Sequence, residues 1–190
     1  VDEVAHLTLE LENVENVLSA YVEPNNTLET SATGIPPHAV EIVVLGGAEA
    51  DIAQVLMDNL FATPTYKDST LGEEISGTDY NGHTQTFYIT RPQQVNVSVQ
   101  ITYVNKLGQT LSSDNIADIT SKITQLINAT YMNKTLYYSD ICNLATDGYT
   151  QIYAIKTMTV TVGSSPVTDS YTCTSRQYLY ASSVTLSEAE

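Results

Sequence analysis

A chain of 190 residues is long enough for one domain or two small ones, and 42% hydrophobic residues supply real cores, so disorder is not the default reading. Seven Lys plus Arg stand against 22 Asp plus Glu, a formal charge of −15. A field of that sign repels phosphate backbones and anionic lipid surfaces, so no nucleic acid and no membrane is expected as a partner. No run reaches the roughly 20 apolar residues that a spanning helix needs.

With Val1 in first place and no basic-then-apolar leader, the chain reads as a piece of a longer protein or one trimmed at its start. Val4, Leu7 and Leu11 recur at helical spacing and predict a short helix over residues 3–12. Residues 17–22 read as a strand closed by Pro24-Asn25-Asn26, whose residue types favour a turn, and a polar loop runs on through Gly34. After Pro36-Pro37, residues 38–45 are apolar on both faces, as a buried central strand requires. Gly46-Gly47 ends it. Ile52, Val55, Leu56 and Leu60 then predict an amphipathic helix over 49–61, with Glu49 and Asp51 complementing its dipole.

Residues 63–83 are polar and rich in turn formers, and Asn81-Gly82 is the strongest hairpin signal, leading into an alternating strand at 84–90. Arg91-Pro92 is the expected domain junction, because Pro cannot continue strand pairing and restricts the residue before it. Val95, Val97, Val99, Ile101 and Tyr103 alternate with polar residues and predict a half-exposed strand. Ser112-Ser113-Asp114 offers capping oxygens to a helix carrying Ile116, Ile119, Ile123, Leu126 and Ile127 to about residue 131. Tyr137, Ile141, Leu144 and Ala145 predict a shorter helix stopping at Asp147-Gly148. Residues 152–162 read as a long strand, 163–166 as a turn, and 170–175 with 178–186 as further strands before a frayed tail at 188–190.

The expected fold class is α+β, with two small domains at 1–91 and 92–190. Each is expected to be a mainly antiparallel sheet packed with one or two helices. The first would carry a helix-hairpin and a central strand-helix-hairpin, the second the order strand-helix-helix-strand-strand.

Chemistry-bearing patterns are sparse. His6, His38 and His83 fall in three separate elements with no metal-ligand spacing, and His38 is expected to pack or hydrogen-bond beside the Pro pair. Leu45-Gly46-Gly47 lacks the third Gly and the Lys-Ser/Thr of a phosphate loop, and Glu49 and Asp51 oppose an anion there. Glu73, Glu74 and Asp79 could be imagined as glycosidase acids, but neighbouring acids are expected on a solvated face of so acidic a chain. Asp114 and Asp118 read as helix cap and solvent face.

Cys142 and Cys173 read as buried free thiols, with a disulfide as the alternative. Asn25, Asn96, Asn128 and Asn133 each match Asn-x-Ser/Thr, which in this Asn- and Thr-rich chain reads as chance. Thirteen Tyr against two Phe point to contact surfaces, since Tyr joins apolar area to a hydrogen-bonding tip, with several of them, such as Tyr103 and Tyr153, serving simply as sheet residues as the alternative. Expected catalytic, cofactor-binding and metal residues are therefore none, and the chain is not read as an enzyme.

The run Gly34-Ile35-Pro36-Pro37-His38-Ala39-Val40-Glu41-Ile42-Val43-Val44-Leu45-Gly46-Gly47, followed by an acidic helix start and Ile52-Ala53-Gln54-Val55, resembles the baseplate-J-like family. The spacing to Phe87-Tyr88-Ile89-Thr90-Arg91-Pro92 is similar too, and the likeness covers residues 14–104 best. Residues 63–67 depart from it, where the family commonly carries a Gly-rich turn. The resemblance implies the carboxy-terminal half of a wedge protein of a contractile phage or prophage tail baseplate, located in the virion and assembled in the bacterial host cytoplasm. Implied partners are other baseplate proteins and copies of itself, with no cofactor and no small-molecule substrate. The exposed face around residues 96–102 and the stretch 63–83 are the expected contact surfaces. The rival readings are a receptor- or carbohydrate-binding tail module and a tail-associated hydrolase.

Overall fold

A computed structural model describes residues 2–60 and 62–190, which form a mixed α+β fold of four helices and ten strands. Two compact units divide the chain, residues 1–93 and 94–190, and Pro92 lies just before the division. Of the 22 acidic residues 15 fall in the first unit with only two of the seven basic ones, a net of −13 against −2 for the second.

The first unit contains α1 (Glu3–Glu12), β1 (Val17–Pro24), β2 (Val40–Gly46), α2 (Glu49–Asn59), β3 (Gly72–Thr78) and β4 (Thr84–Thr90). Asp2 caps α1 by accepting from the Val4 and Ala5 N–H groups, and Leu7 and Leu11, one turn apart, are buried. The sheet order is β1-β2-β4-β3, with β1 antiparallel to β2, β3 antiparallel to β4, and β2 parallel to β4. That parallel contact is confined to Val43 opposite Thr90. Residues 64–66 reach both strands nearer their starts: the Val40 N–H donates to Pro64 O at 3.0 Å, Tyr66 N–H to Val40 O at 2.8 Å, and Tyr88 N–H to Thr65 Oγ1 at 2.8 Å. Both helices contribute to a core on one side of the sheet, where Leu11, Ile42, Val44, Ile52, Leu56, Phe87 and Ile89 are buried.

The second unit contains β5 (Gln93–Asn105), α3 (Ser113–Asn128), β6 (Thr135–Tyr137), α4 (Tyr138–Thr146), β7 (Tyr153–Val162), β8 (Ser165–Val167), β9 (Ser170–Thr172) and β10 (Gln177–Glu188). Its main sheet runs β10-β5-β7-β8, and β6 and β9 form a separate antiparallel ribbon. β10 runs in the same direction as β5, since Ser182 Oγ donates to Val97 O and the Ala189 N–H to Tyr103 O. Ile119, Ile123 and Ile127 of α3 meet Val97, Val99, Ile101, Val160 and Val162 in the core. Tyr103 and Tyr153 meet edge to face at 5.5 Å between ring centroids.

Several boundaries move from where the sequence placed them. β2 starts at Val40 because His38, exposed, has φ 57°, outside the strand region. The stretch read as polar and turn-rich contains β3, hydrogen-bonded along its whole length to β4. The capping residue of α3 is Ser112, which exchanges hydrogen bonds with Asn115, while Asp114 lies in the first turn. β10 continues to Glu188, whose Oε1 accepts from Asn105 Nδ2 at 2.8 Å, so the tail is tied down rather than frayed as far as Ala189. α2 ends at Asn59, and Phe61, expected to close it, lies outside the described residues. Among the described residues no helix is long and apolar enough to cross a membrane.

Candidate functional site

The outer face of the second unit's sheet follows from the alternation of β5. Val97, Val99, Ile101 and Tyr103 turn into the core, which forces Asn96, Ser98, Gln100 and Thr102 outward. Register extends this face onto β7, because Ser98 lies opposite Thr161, Gln100 opposite Thr159 and Thr102 opposite Thr157. Pairing then shifts so that Tyr103 faces Ile155, leaving the exposed Lys156 as the extra residue of a bulge. Seven hydroxyl and amide side chains, none charged, therefore stand on one regular face of a protein whose formal charge is −15.

In the first unit, β2 and β4 run parallel, so the loop entering β2 and the turn entering β4 lie at the same end of the sheet. Asn25, 5% exposed, organises that loop. Its Nδ2 donates to Glu29 O at 2.7 Å, Ile35 O at 2.8 Å and Pro36 O at 3.0 Å, and its Oδ1 accepts from the Thr27 N–H and hydroxyl. Leu28 projects from the loop at 83% exposure.

Asp79 organises the turn. Its Oδ1 accepts from the Asn81 and His83 N–H groups at 2.8 and 2.9 Å, and Oδ2 lies 3.1 Å from His83 Nδ1. The His83 N–H chiefly, then its imidazole and the Asn81 N–H, hold the Asp79 carboxyl below the usual carboxylate range. Tyr80 stands at the tip, 97% exposed. This end of the unit thus offers an apolar and an aromatic side chain on braced loops in strongly negative surroundings.

The remaining residues singled out by sequence are placed as follows. Glu73 and Glu74 are successive on β3 and project to opposite faces, and Asp79 follows the strand's end, so the three carboxylates are not gathered. Glu73 Oε2 accepts from Arg91 Nε at 2.6 Å, and Arg91 Nη1 donates to Gly46 O at 2.7 Å and Val44 O at 3.3 Å, tying the end of β2 to β3. Gly46-Gly47 has φ of 84° and 77°, and a Cβ on Gly46 would lie 2.2 Å from Asn16 O, so glycine is required by the strand-ending turn. His6 is exposed on α1. Both cysteines are free, Cys173 buried and Cys142 half-buried, and burial pushes the Cys173 thiol up to about 11. Asn25 has no free amide for modification, and Asn128 accepts from the Ala181 N–H at 2.8 Å, whereas Asn96 and Asn133 are exposed.

Sequence reasoning missed two contacts. Asp118 was read as solvent-facing, yet its Oδ2 accepts from Tyr149 OH at 2.6 Å and lies 2.8 Å from Lys122 Nζ. The Lys122 contact chiefly, then that hydroxyl, lowers its pKa. The i,i+4 spacing of Asp118 and Lys122 was a usable signal; the Tyr149 contact had none. The second is the Asp79–His83 pair, also four residues apart. Among the described residues no group of three His, Cys, Asp or Glu side chains could hold a metal ion. An open groove of about 340 Å³ is lined by Thr63, Thr65, Gln85, Thr86 and Tyr88, and Lys67 Nζ lies 5.0 Å over the Tyr88 ring. No protein-family model matches the chain, and no curated protein matches it.

Proposed function

We propose that the chain is an assembly piece of a contractile phage or prophage tail baseplate, a wedge component that binds neighbouring baseplate proteins and copies of itself. The baseplate part of this reading rests on the resemblance centred on residues 34–47. The assembly part is carried by one observation: the uncharged face of β5 and β7, on which Ser98, Gln100 and Thr102 lie opposite Thr161, Thr159 and Thr157. Covering such a face costs hydroxyl and amide hydration that a polar partner can return, whereas covering charges costs several kcal/mol per unpaired ion, on the order of the whole stability of a small unit. β10 and β8 flank β5 and β7 in the sheet and hold their spacing, so a partner meets a preformed surface.

Gln100→Glu combined with Thr159→Glu sets two carboxylates directly opposite each other on that face. At exposed positions the folding cost is about 1 kcal/mol or less. The variant is expected to fold, with an unchanged circular dichroism spectrum, and to abolish tail assembly seen by electron microscopy when expressed with the neighbouring tail genes. Normal tails from the variant, or a gene with no tail genes beside it, would sink the proposal. The same hydroxyl-rich face would suit a glycan, the rival reading; saturable glycan binding lost in the same variant would favour it.

A further inference from the structure

Asn81-Gly82 is the sole Asn-Gly pair in the chain, and it occupies the exposed turn between β3 and β4. The Asn81 side chain is exposed and makes no hydrogen bond among the described residues. Gly82, at φ 83°, has no atom of any residue beyond its two chain neighbours within 4 Å of where a Cβ would stand. Glycine leaves the peptide nitrogen after an asparagine unshielded, which makes this dipeptide the one most open to attack by that nitrogen on the side-chain amide.

The nitrogen and its neighbours are not free, however. The Gly82 N–H donates to Asp79 O at 3.0 Å, and the Asn81 and His83 N–H groups both donate to Asp79 Oδ1. One residue therefore pins three successive peptide N–H groups around the susceptible bond. Rotation of Gly82 N toward Asn81 Cγ requires the turn to open.

We propose that Asn81 is a site of spontaneous modification through a succinimide, and that Asp79 sets its rate in the folded protein. The Gly82 nitrogen loses its proton to solvent base and bonds to Asn81 Cγ; the bond from Cγ to the amide nitrogen breaks, and ammonia leaves carrying a proton. Water then adds to one carbonyl of the ring and the bond from that carbon to the ring nitrogen breaks, the nitrogen taking up a proton: addition at Cγ gives aspartate, addition at the main-chain carbonyl gives isoaspartate, with one more methylene in the backbone. Each product adds a carboxylate beside Asp79 and Tyr80. This inference is independent of the baseplate reading.

The test is incubation of the full chain in mildly alkaline buffer, with peptide mapping by mass spectrometry and an isoaspartyl-specific methylation assay. The need to open a turn held by three hydrogen bonds lowers the rate roughly ten-fold or more below that of the urea-unfolded chain. Asp79→Ala should raise the folded rate several-fold toward the unfolded one, Asp79→Asn, which keeps an acceptor oxygen, should stay near wild type, and Asn81→Gln should abolish the reaction. Equal rates for wild type and Asp79→Ala, with both folded by circular dichroism, would overturn the role of Asp79. Conversion at other asparagines as fast as at Asn81 would overturn the site. If Asp79→Ala fails to fold, a wild-type rate equal to that of the unfolded chain decides against the proposal, and a slower one supports it.

Discussion

Replacing Asn25 with alanine removes the donor that closes the loop into β2. The two N–H groups of its Nδ2, shared among Glu29 O, Ile35 O and Pro36 O, are lost from a side chain only 5% exposed. At about 1 kcal/mol net for each donor, and about 1 kcal/mol more for carbonyl oxygen left buried without a partner, the loss is roughly 3 kcal/mol. The two bonds accepted from Thr27 add little, because Thr27 is exposed and can turn to water. For a unit of this size a loss of about 3 kcal/mol lowers Tm by more than about 10 °C. Asn25→Asp is expected to be worse, since it sets a carboxylate where three carbonyl oxygens converge. The two units need not unfold together, so urea denaturation is best combined with hydrogen exchange of the His38 N–H, which donates to Asn25 O at 2.8 Å. A stability change below about 0.5 kcal/mol for Asn25→Ala, or a wild-type midpoint for Asn25→Asp, would refute the reasoning.

Two further predictions concern backbone strain and pH. Gly46→Ala and Gly148→Ala both place a side chain at positive φ, but only at Gly46 would the new Cβ meet backbone, at 2.2 Å from Asn16 O, while at Gly148 nothing lies within 4 Å. Gly148→Ala should cost about 1–2 kcal/mol in thermal denaturation and Gly46→Ala well beyond that, with loss of folded protein; equal costs would show that conformation alone matters. The buried Cys173 thiol is raised from 9.0 to about 11, so its contribution to stability is complete below pH 9.0 and is lost as pH rises toward about 11. Urea midpoints across that window should fall less steeply in Cys173→Ala than in wild type, and parallel slopes would count against the burial effect. Tyr153, raised by burial from 10.0 to about 12, titrates on in both proteins and so cancels in the comparison.

Local periodicity carried much of the fold. The bounds of α1, the alternation of β5 and the isoleucine row of α3 were legible, because each records which side of one element faces a core. The two surfaces expected to make contacts were only partly legible. The polar residues of β5 were visible, but their pairing with Thr157, Thr159 and Thr161 depends on a register set across more than 50 residues of intervening chain. The hairpin at Asn81-Gly82 was legible, but the length of β3 was not, because Gly72, Gly77 and two adjacent glutamates dilute its alternation and its pairing with β4 supplies the missing order. Of the ribbon of β6 and β9, residues 170–175 read as strand, whereas β6, with three residues, is too short to show a period, and so the pairing was missed.

Composition and patterning by themselves determined an acidic α+β chain with glycine-marked turns, since charge, alternation and turn chemistry are properties of neighbours in sequence. Tertiary structure alone decided how residues 64–66 reach both β2 and β4, that Asp118 meets Tyr149, and that Arg91 holds Glu73 and the end of β2. The physical reason is that such contacts join groups whose sequence separation leaves no periodic trace, and only the closing of the sheets brings them within hydrogen-bond reach.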